Sequence, residues 1–393
     1  MRFSDLTDRI AGESVDTWEV NYRAMQRLEA GEDIFLMSIG QETDSFSPQG
    51  VMDAAIDSIQ SGRHHYTAVE GGQRLREIIA SRHSQKCGVP VDPDCVVVFC
   101  GAQNALFATA QVLLQAGDEV ILIEPYYTTY PATVTASGAA LVSVALAPEE
   151  EFQLDADRVI GAITSRTRAI LVNSPNNPTG AVYPQASMQA LVDVCRERDI
   201  WLISDEVYMD VVADPVPCSP FGLRGAGDVV ISISSVSKSH RMTGWRVGWA
   251  IGPKALARHY YNLNMCMNYG LSAISQDGAL QALEHEHSVT EEVQHRLARQ
   301  RQVVIDELRA APEVELYSAG GGMFVILNIR NLDIDSMNFA AGLLDRENVS
   351  LQPLTGFGAS CEGLLRISTV LKEERLQEAC RRITRYVQSL IQD

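Results

Sequence analysis

Lys238 ends the run Ser235-Val-Ser-Lys238, and Gly244-Trp-Arg246 follows it. A neutral lysine amine forms a Schiff base with a carbonyl, and desolvation with a nearby cation favours that neutral form. The hydroxyls of Ser235 and Ser237 and the guanidinium of Arg246 suit a phosphate. A solvated lysine in a Ser-rich turn is the plainer account of the same residues. Upstream, Ser204-Asp-Glu-Val-Tyr208 puts Asp205 just past a buried apolar run. A carboxylate buried there needs a cation, which is either a ring nitrogen of a bound group or a structural arginine. Asn173-Ser-Pro-Asn-Asn177-Pro-Thr-Gly180 reads as a turn. Gly101-Ala102-Gln103 opens a helix, whose free N–H groups and dipole form an anion site. Each feature alone is weak; together and in this order they point to one site.

These side chains need a frame. Short β-rich runs at 96–100, 119–123, 140–144, 168–172, 201–204, 229–234 and 247–251 alternate with helical segments such as 103–116 and 185–198. Several of the runs are continuously apolar, which predicts strands covered on both faces. The alternation predicts an α/β fold with a mostly parallel, seven-stranded sheet. Asp205 then lies at the carboxyl end of a strand, where such sheets bind ligands. The flanks differ: an amphipathic helix over 16–29, a charged helix over 289–310, strands near 324–329 and 364–368, and a closing helix from Glu373. The expected organisation is an N-terminal arm (1–45) joining a small α+β domain, a large domain (46–284), and the rest of the small domain (285–393). The charge-dense stretch 284–292 reads as a solvated helix start.

Composition narrows the function. The chain has 393 residues, with 32 basic and 50 acidic side chains and a net charge of −18. Such a chain repels phosphate backbones and anionic bilayers, so neither nucleic acid nor membrane is an expected partner. No apolar run approaches the roughly 20 residues of a membrane span, and the charged opening MRFSDLTDRIAGES lacks a secretory apolar core. A cytoplasmic location is expected. The eight cysteines include no C-x-x-C pair and are expected to be buried thiols. The histidines form no H-E-x-x-H, so no metal is expected.

The ordered set resembles the class I/II aminotransferases, fold-type I enzymes that use pyridoxal 5′-phosphate (PLP). The resemblance runs the whole length, with Tyr66-Thr-x-x-x-Gly71-x-x-x-Leu-Arg76 early and Leu365-Arg366-Ile-Ser368 late. MRFSDLTDRIAG and SKSHRMTGWRVGW are similar to bacterial arginine–pyruvate transaminases. The resemblance implies that Lys238 carries PLP and shuttles the substrate proton, that Asp205 pairs with the ring nitrogen, and that Tyr208 and Asn177 bond the ring oxygen. It implies that Tyr127 stacks on the ring, with Tyr126 as the nearby alternative. Phosphate contacts fall to the backbone of Ala102 and Gln103, to Ser235, Ser237 and Arg246, and to Tyr66 of a second copy, making a homodimer. Arg366 clamps the substrate α-carboxylate in a bidentate fork; as a surface residue it would sit beside Glu362. Gly40 allows close backbone approach to substrate, and Asn177 also faces it. Trp18 either covers the site or packs, and Trp245 and Trp249 belong to the core.

One stretch departs from the family. Its usual Gly-x-Pro-Asp-Phe is replaced by Gly40-Gln41-Glu42-Thr43-Asp44-Ser45-Phe46-Ser47-Pro48. The expected reaction moves an amino group from an amino acid to a 2-oxo acid such as pyruvate. The alternatives are a lyase, oxidase or cyclase using the same cofactor. A PLP-binding transcription regulator is disfavoured, because only about 45 residues precede the sheet. Arginine or another basic amino acid is the expected donor. Asp16, Glu19, Gln41, Glu42, Asp44 and Glu70 are candidates to receive its side chain, although surface acids are common in so acidic a chain.

Overall fold

The computed structural model describes residues 1–11, 17–42, 46–212, 214–285 and 287–392. A short strand, β1 (Phe35–Leu36), precedes the large sheet. That sheet contains β2 (Val96–Phe99), β3 (Glu119–Glu124), β4 (Ala140–Ala145), β5 (Thr167–Asn173), β6 (Trp201–Asp205), β7 (Val230–Ser235) and β8 (Gly248–Ile251). Their spatial order is β2-β8-β7-β6-β5-β3-β4. β8 runs antiparallel to β2 and β7, and the remaining pairs are parallel. All seven expected strands are present in the expected mostly parallel sheet.

The apolar runs work because alternate residues enter different cores. Ile121 and Ile123 pack on one face with the helix Gln185–Arg198. Val120 and Leu122 pack on the other with the helix Ala102–Leu113. β4 is less buried than the strands beside it, as its edge position dictates.

The smaller sheet contains β9 (Glu315–Tyr317), β10 (Phe324–Asn328), β12 (Gln352–Pro353) and β13 (Leu364–Ser368), and β11 (Val349–Ser350) pairs in parallel with β1. The order β12-β13-β10-β9 is antiparallel throughout. Val20, Ala24, Ile34 and Phe35 share one apolar cluster with Phe339, Leu365 and Tyr386, so early and late segments fold around a common core.

Two expectations change. The stretch 284–292 straddles two helices, Ala273–His285 and His287–Leu308, and is not simply solvated. Glu284 pairs with Arg74 at 2.5 Å and Glu292 with Arg241 at 2.6 Å, contacts between distant segments that spacing cannot reveal. The eight thiols are free, but only Cys195, Cys361 and Cys380 are buried, and Cys266 is exposed on the helix Lys254–Met267. Among the described residues no helix is long and apolar enough to cross a membrane, and no group of three or more side chains could hold a metal ion.

Gly71 explains one glycine of the early motif. Its φ is +101°, and an added Cβ would lie 2.4 Å from Val98 Cγ2 on β2. Gly71→Ala should therefore destabilise the chain by about 2–4 kcal/mol, from left-handed strain plus overpacking. Urea unfolding checks this; an unchanged midpoint would show that the loop yields freely.

Candidate active site

β7 ends at Ser235, whose hydroxyl accepts from the Ser237 N–H at 3.3 Å and starts the single helical turn Val236–Ser239. That turn aims Lys238 into a cavity. The Lys238 amine donates to the Gly40 carbonyl at 2.8 Å, and the Tyr208 ring centroid lies 5.9 Å from it. Desolvation first, then the Arg366 guanidinium, push the amine down to about 8, with Arg246 adding and Glu42 opposing. Near neutral pH it is neutral more often than an ordinary lysine.

Asp205 is the last residue of β6 and lies opposite Asn173 of β5 in the parallel register. It is buried and accepts from the Tyr130 hydroxyl at 2.7 Å and the Val207 N–H at 3.2 Å. Burial pushes its carboxyl up to about 6, against those two hydrogen bonds. No lysine or arginine forms an ion pair with it among the described residues, so the structural-arginine account fails. The Asn173 amide donates to the Asp205 carbonyl at 2.9 Å, and its oxygen accepts from the Asn177 N–H at 2.7 Å. Asn177 Nδ2 in turn lies 3.4 Å from the Tyr208 hydroxyl.

Arg366 sits in β13, the second strand of the small sheet, and is only 2% exposed. Its Nη1 donates to Asn177 Oδ1 at 2.9 Å and its Nη2 to the Ser38 carbonyl at 2.7 Å. Its Nε is buried with no hydrogen-bond partner, and its guanidinium carbon lies 4.3 Å from the Phe324 ring centroid. Burial lowers its pKa to about 10. It is not a surface residue beside Glu362, whose carboxylate instead accepts from Ser336.

The helix Ala102–Leu113 begins after Gly101, whose φ is +86°. A Cβ on Gly101 would lie 2.2 Å from Arg246 Nη2, and one on Gly248 would lie 2.5 Å from the Ala102 nitrogen. Two missing side chains thus leave a cradle between the helix start and the guanidinium. Arg246 is steadied by the Thr243 carbonyl at 2.8 Å. Gln103 has its side chain tied to Thr129 and Thr133, while its N–H lies in the first turn, where helical partners are lacking.

These groups converge on one cavity of about 390 Å³. Lys238, Asp205, Tyr208, Ala102, Gln103, Tyr127, Asn177, Ser235, Ser237, Arg246, Gly40 and Arg366 all line it, as does Trp18. Tyr66 does not: it is 86% exposed and meets Tyr269 edge-on at 5.0 Å. Trp249 is buried, and Trp245 is partly buried with its indole N–H on Ser47 at 2.8 Å. Sequence reasoning gave no role to Tyr130, Asn173 or Phe324, which also line the cavity. The signal for Tyr130 was its place in Pro125-Tyr-Tyr-Thr-Thr-Tyr130, but only the fold shows that its hydroxyl reaches Asp205.

The acids expected to receive a cationic substrate are mostly elsewhere. Asp16 and Asp44 lie outside the described residues. Glu19 is exposed, Glu70 lies 3.6 Å from Arg76, and Glu42 faces Arg241 and Arg296. Among the described members of that group, only Gln41 lines the cavity.

With this geometry established, comparison places the chain. Residues 32–383 match the family "Aminotransferase class I and II". The chain belongs to that family. It is 45% identical over 383 residues to an arginine–pyruvate transaminase of Pseudomonas aeruginosa, covering 98% of this chain and 97% of that one. An aspartate/prephenate aminotransferase of Thermus thermophilus is 33% identical over 372 residues, covering 94% and 95%. The solved aspartate aminotransferase of Thermus thermophilus with maleate superposes with a TM-score of 0.92 at 32% identity, covering 98% of this chain and all of that one. This aminotransferase is a PLP-dependent, fold-type I enzyme, and the comparisons favour transamination over a lyase, oxidase or cyclase.

The residues present fit the cofactor. A buried carboxylate without a cation suits a pyridinium nitrogen, the Gly101–Gly248 cradle beside Arg246 suits a phosphate, and Lys238 supplies a desolvated amine.

Asp205 also makes a prediction for the cofactor-free chain. Its folded pKa lies above its unfolded value of 3.8. Well below pH 4 both states are protonated, and as pH rises to about 6 ionisation favours the unfolded state, so stability is lost. Asp205→Asn should therefore stabilise the cofactor-free chain by roughly 2–3 kcal/mol above pH 7, with the gain vanishing below pH 4. The same change should weaken PLP binding. Urea titrations across pH check the first outcome and equilibrium dialysis the second.

Proposed function

We propose that this aminotransferase takes its amino group from a basic amino acid, arginine first, and passes it to a 2-oxo acid such as pyruvate. The carrying observation for the chemistry is the meeting of an amine, a carboxylate and a guanidinium, Lys238, Asp205 and Arg366, in one cavity, where neither Asp205 nor Arg366 has an ion-pair partner among the described residues. The support for the substrates is the full-length 45% identity to an arginine–pyruvate transaminase.

When bound, PLP withdraws electrons from the substrate carbon and holds the nitrogen between the two half-reactions. The chain's own residues do the rest. Arg366 takes the α-carboxylate in a fork, with Asn177 fixing one of its nitrogens, and thereby orients the Cα–H bond. Lys238, kept neutral by desolvation, takes the proton from Cα and returns it on the other side of the transfer. Asp205, held by Tyr130 and Val207, would be the anion for the ring nitrogen, and a cation there would lower its pKa again. Tyr208 and Asn177 would serve the ring oxygen and Tyr127 the ring itself. Ala102, Gln103, Ser235, Ser237 and Arg246 would hold the phosphate. Gly40 brings its backbone close to the bound substrate.

The distal cation of the donor meets Trp18 and Gln41, a ring face and an amide oxygen that accept a cation without a counter-charge. In this reading the active unit is a homodimer in which Tyr66 reaches the phosphate of the second copy, supported by its exposure away from its own cavity. Eight free thiols suit a reducing, cytoplasmic setting. The working division of the chain is an arm at 1–45, a large domain at 46–284 and a small domain at 285–393.

A half-reaction screen of the PLP-loaded protein tests the substrate. Arginine should convert fastest, roughly ten- to hundredfold ahead of aspartate and phenylalanine, as one charge-assisted hydrogen bond allows. Faster conversion with aspartate or phenylalanine defeats arginine while leaving transamination intact. Lys238→Ala should transfer no amino groups. Mixing it with Tyr66→Phe chains should restore some sites, whereas a fully active monomer in sedimentation would end the dimer reading.

A further inference from the structure

The loop that departs from the family pattern carries an acid that the transfer chemistry leaves unused. Gly40 and Gln41 line the main cavity, but Glu42 turns away from it. Its side chain is only 9% exposed and lies 2.6 Å from Arg296 Nη2 and 3.6 Å from Arg241 Nε. Arg241 continues to Glu292 at 2.6 Å. Arg241 stands three residues after Lys238 and has a φ of +57°, a left-handed backbone that L-residues adopt at a cost. Arg296 and Glu292 belong to the helix His287–Leu308. One carboxylate therefore ties the loop to the lysine's own turn and to a helix from the far end of the chain.

What that tie holds is specific. The Gly40 carbonyl accepts from the Lys238 amine at 2.8 Å. The loop's close approach requires glycine, since a Cβ on Gly40 would lie 2.6 Å from the Phe324 ring. A small cavity is lined by residues from both sides, among them Gly40, Gln41, Glu42, Lys238, Arg241 and Met323.

We propose that Glu42 is the positioning residue of the amine site: its pairs with Arg241 and Arg296 fix the Gly40 carbonyl against Lys238. The inference rests on Lys238 being the working amine. Glu42 acts through backbone position and through charge. The groups that act on the amine are Arg366 from β13, Arg246 after the lysine turn and, from outside the main cavity, Glu42, while the Tyr208 ring after β6 lies 5.9 Å from it and Asp205 lies on the cavity wall. Arg366 and Arg246 favour the neutral amine and Glu42 the charged one. Around Glu42 itself stand Arg241, Arg296, Arg299, Lys372, Glu292, Glu373 and Glu374.

Opposite charge changes separate this role from simple packing. Glu42→Gln removes the anion, so the Lys238 pKa should fall by roughly 0.5–1 unit. Arg296→Gln unmasks the anion, so that pKa should rise by a similar amount. Both loosen the loop, so both should raise the KM for the amino donor about three- to tenfold, while Glu42→Asp should stay near the parent in pKa. The pKa is read on the full-length chain freed of cofactor, by competitive acetylation of Lys238 against pH with peptide mass spectrometry. This readout works whether or not the protein transaminates, so its failure is distinct from failure of the functional reading. Holoenzyme kinetics supply KM. If the two pKa values move together or stay at the parent value, or if KM is unchanged in both variants, the proposal falls. Should Glu42→Gln not fold, Arg296→Gln decides alone: a raised pKa supports the role, and an unchanged or lowered one overturns it.

Discussion

A carboxylate taken out of water with no cation beside it is the constraint on which this cavity turns. Asp205 is held by a phenol and a backbone N–H, which stabilise its charge in part, yet burial still drives its carboxyl upward. A protein that needed only stability would place an arginine there or an apolar side chain. The site instead keeps a buried carboxylate whose charge a cation placed beside it would stabilise.

The same logic sets Arg366. Its guanidinium is buried on an aromatic face and bonded only to neutral oxygens, from Asn177 and Ser38. Those partners come from the large-sheet loop and from the segment next to β1, while the arginine comes from the small sheet. One side chain thus links three distant parts of the chain. A carboxylate placed there would supply the counter-charge that Arg366 lacks among the described residues. Lys238 lines the same cavity, and the nearby Arg366 guanidinium reinforces the desolvation that favours its neutral amine.

The balance of charge also explains why few acids line the cavity. An extra carboxylate there would charge Lys238 and compete for Arg366. Of the acids on the altered loop and near it, Glu42 is neutralised by two arginines and Glu70 lies beside Arg76. The uncharged Gln41 and Trp18 line the cavity instead.

The sequence by itself determined the sheet and the order of the reactive residues. Continuous apolar runs alternating with helices read as parallel strands covered on both faces, so Asp205 was legible at a carboxyl strand end; that Asn173 stands opposite it was set by strand order. Tertiary contacts, not the sequence, showed why glycine is needed at 71 and 101, where a Cβ would meet Val98 and Arg246. Tertiary structure alone decided what meets across segments. It sent the Tyr130 hydroxyl to Asp205, buried Arg366 away from Glu362, turned Glu42 out of the cavity and left Tyr66 outside it. Periodicity records how often a side chain returns to a face, a local property of the backbone. Which distant side chain stands opposite is set by strand register, by helix packing and by the desolvation of charges, and none of these is written in any one stretch of residues.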